Sequence, residues 1–228
     1  MKRFYKSVGV ERRGAMFAVT LDTRPIKTPG GEIMVLRSPG LADAIAAEWA
    51  GQEGEFELES LFLTRLAYGA VEGEPLRAKI VAEIVKFAGS DLTCYRAAEP
   101  KALMDRQAAA WDPPLLWVRS RYDIVLNTTT GLAHITQPPD AIAALEHALS
   151  SRDMYALVAL HAATGILGSA VLALNLADAR LDATSAFAAA HVDEIYQAEK
   201  WGEDHEAKKR LDRLASELAS AEQFLRLL

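Results

Sequence analysis

The hydrophobic period of this chain switches from strand to helix near residue 38, and that switch limits the folds open to it. Before it, apolar residues follow the two-residue period of strands. Residues 4–10 place Phe4, Lys6, Val8 and Val10 on one side and Tyr5, Ser7 and Gly9 on the other. Residues 15–21 read as a second strand and 33–36 as a third. The turn residues between them are Asp22-Thr23-Arg24-Pro25 and Pro29-Gly30-Gly31. The expectation is a small antiparallel sheet.

After residue 38 the period is helical. Ser38-Pro39 is a helix start, with serine as the cap and proline at the first position. Leu41, Ile45 and Trp49 form one stripe, and the helix is expected to run to about residue 52. A Glu-rich stretch follows, then a helix over 61–71 closed by Gly73. Leu76, Ile80, Ile84 and Phe87 mark the expected buried face of the next helix, with Gly89 as its cap. Another helix is expected over 100–111, with Asp112-Pro113 restarting a short one. Residues 124–137 read as a β-hairpin inserted among helices, and helices resume near Pro139, Asp153 and Asp182. The fold class is therefore α+β. A small antiparallel β-rich N-terminal domain, residues 1–72, precedes a larger mainly α-helical C-terminal domain, residues 73–228, which carries the inserted hairpin.

A chain of 228 residues, half of them hydrophobic, can bury cores for such a pair of domains. The net charge of −6 repels phosphate backbones, and the densest basic cluster, Lys208-Lys209-Arg210, has acids on both sides. This argues against a nucleic-acid partner. The single cysteine, Cys94, has no partner for an internal disulfide and reads as a small buried side chain. Residues 156–177 are long and uncharged enough to raise the question of a membrane span. They also hold His161, Thr164, Gly165, Gly168, Ser169 and Asn175, and the expectation is the buried central helix of a soluble bundle, without membrane insertion. The N-terminus passes directly into strand-like sequence, with no apolar signal stretch and no Arg/Ser-rich presequence, so the expectation is either a bacterial, cytoplasmic protein or a mature form after cleavage.

No constellation for chemistry stands out. Gly165-Ile166-Leu167-Gly168-Ser169 lacks the lysine of a phosphate-binding loop. No serine sits in a nucleophile elbow, and the five histidines are scattered. His191 and Glu194, three residues apart, define the alternative function, a metal-dependent helical-bundle enzyme; the order is reversed from the usual Glu-x-x-His pair and no second pair follows. What remains is a surface. If the helix persists through Gly202, then Glu194, Gln197, Trp201 and Asp204 fall along one face, flanked by Asp193. A tryptophan among acids can anchor a partner while the acids steer basic groups, or it can pack inward. Finally, Ala207, Leu211, Leu214, Leu218, Ala221, Leu225 and Leu228 repeat at alternating spacings of four and three. That seam fits either the protein's own bundle or another chain.

An ordered set of segments carries a resemblance. It comprises Arg3-Phe4-Tyr5-Lys6, Leu21-Asp22-Thr23-Arg24-Pro25, Glu48-Trp49 with Gln52, Leu63-Thr64-Arg65-Leu66, Asp91-Leu92 with Cys94-Tyr95-Arg96, Gln107 with Trp111-Asp112-Pro113, and Asp193-Glu194 with Tyr196-Gln197 and Trp201-Gly202. In order and spacing these resemble the α-subunit assembly chaperones of the ATP synthase F-one sector, found in mitochondria and some bacteria. The resemblance implies a β-rich N-terminal part and a helical C-terminal part. It also implies an ATP-independent holdase, with no catalytic residue and no cofactor, that binds the free α-subunit and keeps it from aggregating until it pairs with the β-subunit. The holdase is expected to be monomeric when free, with Asp193, Glu194, Gln197, Trp201 and Asp204 as its client face. Glu48, Trp49, Arg65, Asp91, Arg96, Trp111 and Asp112 are expected to be structural.

Overall fold

The computed structural model describes residues 2–202 and 205–228. Strands β1 (Val8–Arg13) and β2 (Met16–Leu21) form an antiparallel hairpin, and β2 also pairs with β3 (Arg24–Pro25) and β4 (Val35–Leu36), both antiparallel. The first strand starts later than the alternation predicted. Residues 3–5 bond to the end of the first helix and the chain just after it instead: the Arg3 N–H donates to the Gly54 carbonyl at 2.8 Å, and the Tyr5 hydroxyl donates to the Trp49 carbonyl at 2.7 Å. Asp22 turns the chain after β2 with φ of 57°, and its carboxylate accepts the N–H groups of Ser7 and Lys6, each at 2.9 Å. Those two bonds hold its carboxyl below the usual range.

Helix α1 (Pro39–Ala50) starts as predicted. The Ser38 hydroxyl oxygen accepts the Leu41 N–H at 3.0 Å, and Leu41, Ile45 and Trp49 are buried. Helix α2 (Phe62–Glu72) has no cap of its own; Glu48 reaches over from α1 and accepts the N–H groups of Leu63 and Thr64 at 2.8 and 2.9 Å. A 3-10 turn, Glu74–Leu76, leads into α3 (Arg77–Ala88). Leu76 lies in that turn, out of phase with the helix, and is exposed. The buried stripe is therefore Val81, Ile84 and Ala88, rotated from the predicted face.

Helix α4 (Lys101–Tyr122) corrects the prediction of two helices: it runs unbroken through Pro113 and Pro114. Tertiary contacts hold the helix continuous where proline alone favours a break. The Trp111 indole donates to the Ala189 carbonyl at 2.7 Å, and Asn175 donates to the Pro114 carbonyl at 3.3 Å. The inserted hairpin is also corrected. Residues 124–137 form a loop whose short strand β6 (Thr129–Thr130) pairs in parallel with β5 (Tyr95–Arg96). Its base is closed by a side chain. Gln137 accepts the Asn127 N–H at 2.8 Å and donates to the Asn127 carbonyl at 3.1 Å, so the two arms need no ladder.

Helices α5 (Pro139–Ser150) and α6 (Met154–Leu167) follow, and then α7 (Ala170–Ala177). The single central helix expected over 156–177 is thus two. Gly168 takes the left-handed conformation with φ of 63°, and Ser169 caps α7. Beneath the break lies Asp91, fully buried, accepting from the Ser169 hydroxyl at 2.7 Å and the Val171 N–H at 3.1 Å. Among the described residues no helix is long and apolar enough to cross a membrane. The chain ends with α8 (Ala183–Ala190), α9 (Val192–Trp201) and α10 (His205–Arg226).

Two hydrophobic cores result. One is built from α3 to α8, with Leu218 from α10. The other collects the sheet, α1 and α2, and is completed by Tyr155, Ala159, Ala221 and Phe224 from α6 and α10. The Tyr155 hydroxyl donates to the Val35 carbonyl at 2.5 Å, and the Tyr155 ring stacks on Phe224. The C-terminal half of the apolar seam therefore packs inward: Leu218 and Ala221 are buried, whereas Ala207 is exposed and Leu211 only half-buried.

Candidate functional site

Helix α9 begins where His191 ends α8. The carbonyl of Phe187 can only accept, so His191 Nδ1, 3.0 Å away, carries the proton, and the imidazole stacks on the Phe187 ring with centroids 4.1 Å apart. His191 is buried and Glu194 is exposed, so the pair does not converge as the metal reading required. Among the described residues no group of three His, Cys, Asp or Glu side chains is placed to hold a metal ion.

Three contacts fix α9 on α4. Tyr196 is buried, and the Arg106 guanidinium lies over its ring at 5.1 Å. Arg106 also pairs with Glu199 at 2.7 Å, a bond that holds the Glu199 carboxyl below the usual carboxylate range. Asp193 accepts from the Gln107 amide at 2.7 Å, while the Gln107 carbonyl oxygen accepts the Ala97 N–H at 2.7 Å. Asp193, predicted at the client face, is thus bonded inward.

Glu194, Gln197 and Trp201 of the predicted face point outward. Glu194 and Gln197 are exposed, and Trp201 has 79% of its surface open to solvent. Gly202, with φ of 93°, terminates α9, and Asp204, the last residue of the predicted face, lies outside the described residues. Ile195, 39% exposed, was missed by sequence reasoning. Between α9 and the first turns of α10 runs an open groove of about 400 Å³. Phe187, Ile195, Ala198 and Leu211 give it apolar walls, and its charged lining is mixed: Glu194, Glu199 and Asp212 with Lys208 and Arg210. Its signal was present in the exposed end of the Ala207–Leu228 seam, but spacing could not separate that end from the buried one.

The residues predicted to be structural make internal contacts. The Trp49 indole donates to the Thr64 hydroxyl at 2.9 Å, Arg65 donates to the Glu59 carbonyl at 3.1 Å, and Arg96 pairs with Asp112 at 2.8 Å. They join helix to helix and loop to helix. The sheet is tied to the helices by Tyr155, bonded to the Val35 carbonyl, and the start of α1 is tied to the C-terminus by the Ser38 hydroxyl, bonded to the Leu227 carbonyl. Cys94 is buried, and burial above all, with Asp91 nearby, pushes its thiol up to about 12.

The sequence matches the family described as ATP12 chaperone protein over residues 2–119. The crystal structure of Atp12 from Paracoccus denitrificans is 35% identical, covers 99% of this chain and 97% of its own, and superposes with a TM-score of 0.90. The Atu1473 protein from Agrobacterium tumefaciens is 36% identical, covering 99% of this chain and 85% of its own, with a TM-score of 0.91.

Proposed function

This chain belongs to the ATP12 chaperone family, and from that premise we propose that it binds the free α-subunit of F-type ATP synthase through the outer face of α9. An unassembled α-subunit exposes the surfaces destined for its neighbours, and apolar area of that size promotes aggregation. A holdase covers such a surface and later yields it. An interface of roughly 1,600 Å² spans micromolar to picomolar affinity, so a displaceable complex is physically ordinary. Nothing in this cycle makes or breaks a covalent bond or needs ATP. The holdase acts as a monomer in the compartment where the α-subunit is made, the cytoplasm for a bacterium.

One observation carries the reading. Trp201 stands in solvent at the end of a helix that also exposes Ile195 and Glu194, beside an apolar groove. An exposed tryptophan costs hydration free energy, and it is the side chain most often found as an interface anchor. The acid exposed on α9 itself, Glu194, suits a basic group of the client, while the rim beside α10 is mixed in sign, with Asp212 next to Lys208 and Arg210.

The test is capture of purified α-subunit by the immobilised protein. Trp201→Ala is expected to weaken capture by about tenfold or more, and Glu194→Lys to weaken it further as salt is lowered. Both substitutions are at exposed positions and are expected to leave thermal unfolding unchanged. Wild-type capture by both variants would refute the face.

A further inference from the structure

Asp112, Leu115, Leu116 and Arg119 follow one another on α4 at helical spacing, so they share one face. That face lies beside the buried stripe of Trp111, Pro114 and Val118. Val125, Leu126 and Thr128, from the loop 124–137, stand opposite, and between them runs an open groove of about 470 Å³. Leu115 and Leu126 are half-buried and pack against the core. Leu116 and Val125 are left 62% and 43% exposed. Both walls are fixed. One is a helix, and the other is a loop clamped by Gln137 on Asn127 and paired with β5. A ligand therefore finds the groove already formed. Its charged lining is Arg96, Asp112 and Arg119. Arg96 pairs with Asp112 at 2.8 Å, whereas the Arg119 guanidinium has no ion-pair or hydrogen-bond partner among the described residues. Arg119 also lines the adjoining groove between α4 and α5, together with Arg121, Asp123 and His147. Across the two grooves three guanidiniums face two carboxylates, a local excess of positive charge on a chain whose net charge is −6.

We propose that this surface docks an acidic segment of a partner protein: a bulky apolar side chain seats between Leu116 and Val125, and a neighbouring carboxylate pairs with Arg119. The leucines and valine offer apolar area to the first group. A guanidinium without a partner offers the second a charge-assisted, bidentate contact. Charge thus selects what apolar area alone would not. A nucleic acid has no use for the apolar walls, and the net charge of the chain repels it. The exposed acid of the α9 face, Glu194, calls for a basic group instead, so the two surfaces take segments of opposite charge. The site stands independently of the client assigned to α9.

The probes are soluble peptides of Gly and Ser carrying a central Leu-Glu or Phe-Asp pair, with Leu-Lys and Phe-Arg counterparts. Binding is followed by amide NMR shifts in the intact protein. The acidic peptides are expected to shift Leu116, Arg119 and Val125, and to bind Arg119→Glu and Leu116→Gln about tenfold more weakly than wild type. Both positions are exposed, so neither change enters the core. Arg213→Glu, the same charge reversal at an exposed site on α10 outside both grooves, is expected to bind as wild type does, and so is Trp201→Ala on α9. Should Arg119→Glu fail to fold, Arg119→Gln replaces it. Absent shifts, equal binding of acidic and basic peptides, wild-type binding by both groove variants, or an equal loss in Arg213→Glu overturns the inference. So does a loss in Trp201→Ala as large as in Arg119→Glu, which would move the peptide to α9. Self-association abolished by Leu116→Gln would make the occupant a second copy of the chain, and displacement of the peptide by phosphatidylglycerol vesicles would make it a membrane surface; either result overturns the docking of an acidic segment. Peptide binding at this groove without α-subunit capture removes the α9 reading and leaves this site standing.

Discussion

The Gln107 side-chain amide donates to the Asp193 carboxylate across 2.7 Å, joining the middle of α4 to the first turn of α9. Two adjacent acids on α9 therefore have different work. Asp193 positions the helix, and Glu194, one residue on, stays in solvent. Asp193→Ala leaves the amide of buried Gln107 without its acceptor. The expected cost is about 1–3 kcal/mol in urea unfolding, against near-zero change for Glu194→Ala. Equal stability of the two variants would show that the contact contributes nothing.

Trp111 is fully buried and its indole bonds the Ala189 carbonyl, which helps hold α4 continuous through its two prolines. Trp111→Phe removes both the donor and part of the packed volume. A loss of roughly 2–4 kcal/mol is expected, read from the urea midpoint at constant slope. A loss below ~0.5 kcal/mol, the range of ordinary surface changes, would mean that α4 does not depend on this anchor.

Asp91 and Glu48 both have carboxyls raised above their ordinary values, chiefly by burial, although each accepts several hydrogen bonds. A raised carboxyl means that the folded state holds its proton to higher pH than the unfolded chain does. The contribution of each group to stability is therefore greatest below the unfolded value and falls as pH rises through the folded one. Asp91→Asn removes one such titration. Stability of the wild type relative to Asp91→Asn should decline from acid toward neutral pH in urea titrations. A relative stability that climbs with pH would reverse the sign argued here.

The Cys94 thiol, buried and pushed up to about 12, holds on the order of one part in ten thousand as thiolate at pH 8. Alkylation by iodoacetamide at pH 8 is expected to track global unfolding and to be complete in denaturant. Fast labelling of the native protein, detected by mass, would contradict the burial.

Where local chemistry decides structure, sequence reasoning succeeded. Ser38, Asp153 and Asp182 cap the helices they were expected to start, because a cap acts within three residues. It failed where a distant partner decides. Nothing near Pro113 reveals that Ala189 and Asn175 will hold the helix through it. Nothing near Gly168 reveals that Asp91 will sit beneath the break. Residues 124–137 alternate like a hairpin, yet their ladder partner is Tyr95–Arg96, across α4 in sequence. At the site, spacing put Glu194, Gln197 and Trp201 on one outward face. It could not tell Asp193 from Glu194, since the Gln107 contact spans 86 residues. It also missed Ile195, whose exposure depends on how α8 and α10 flank α9.

Co-purification from native lysate tests the central claim most directly. The tagged protein is expected to retain ATP synthase α-subunit in a one-to-one complex and to leave β-subunit behind, with the α-subunit released when purified β-subunit is added. Recovery of assembled α–β complexes, or of no α-subunit at all, would contradict it.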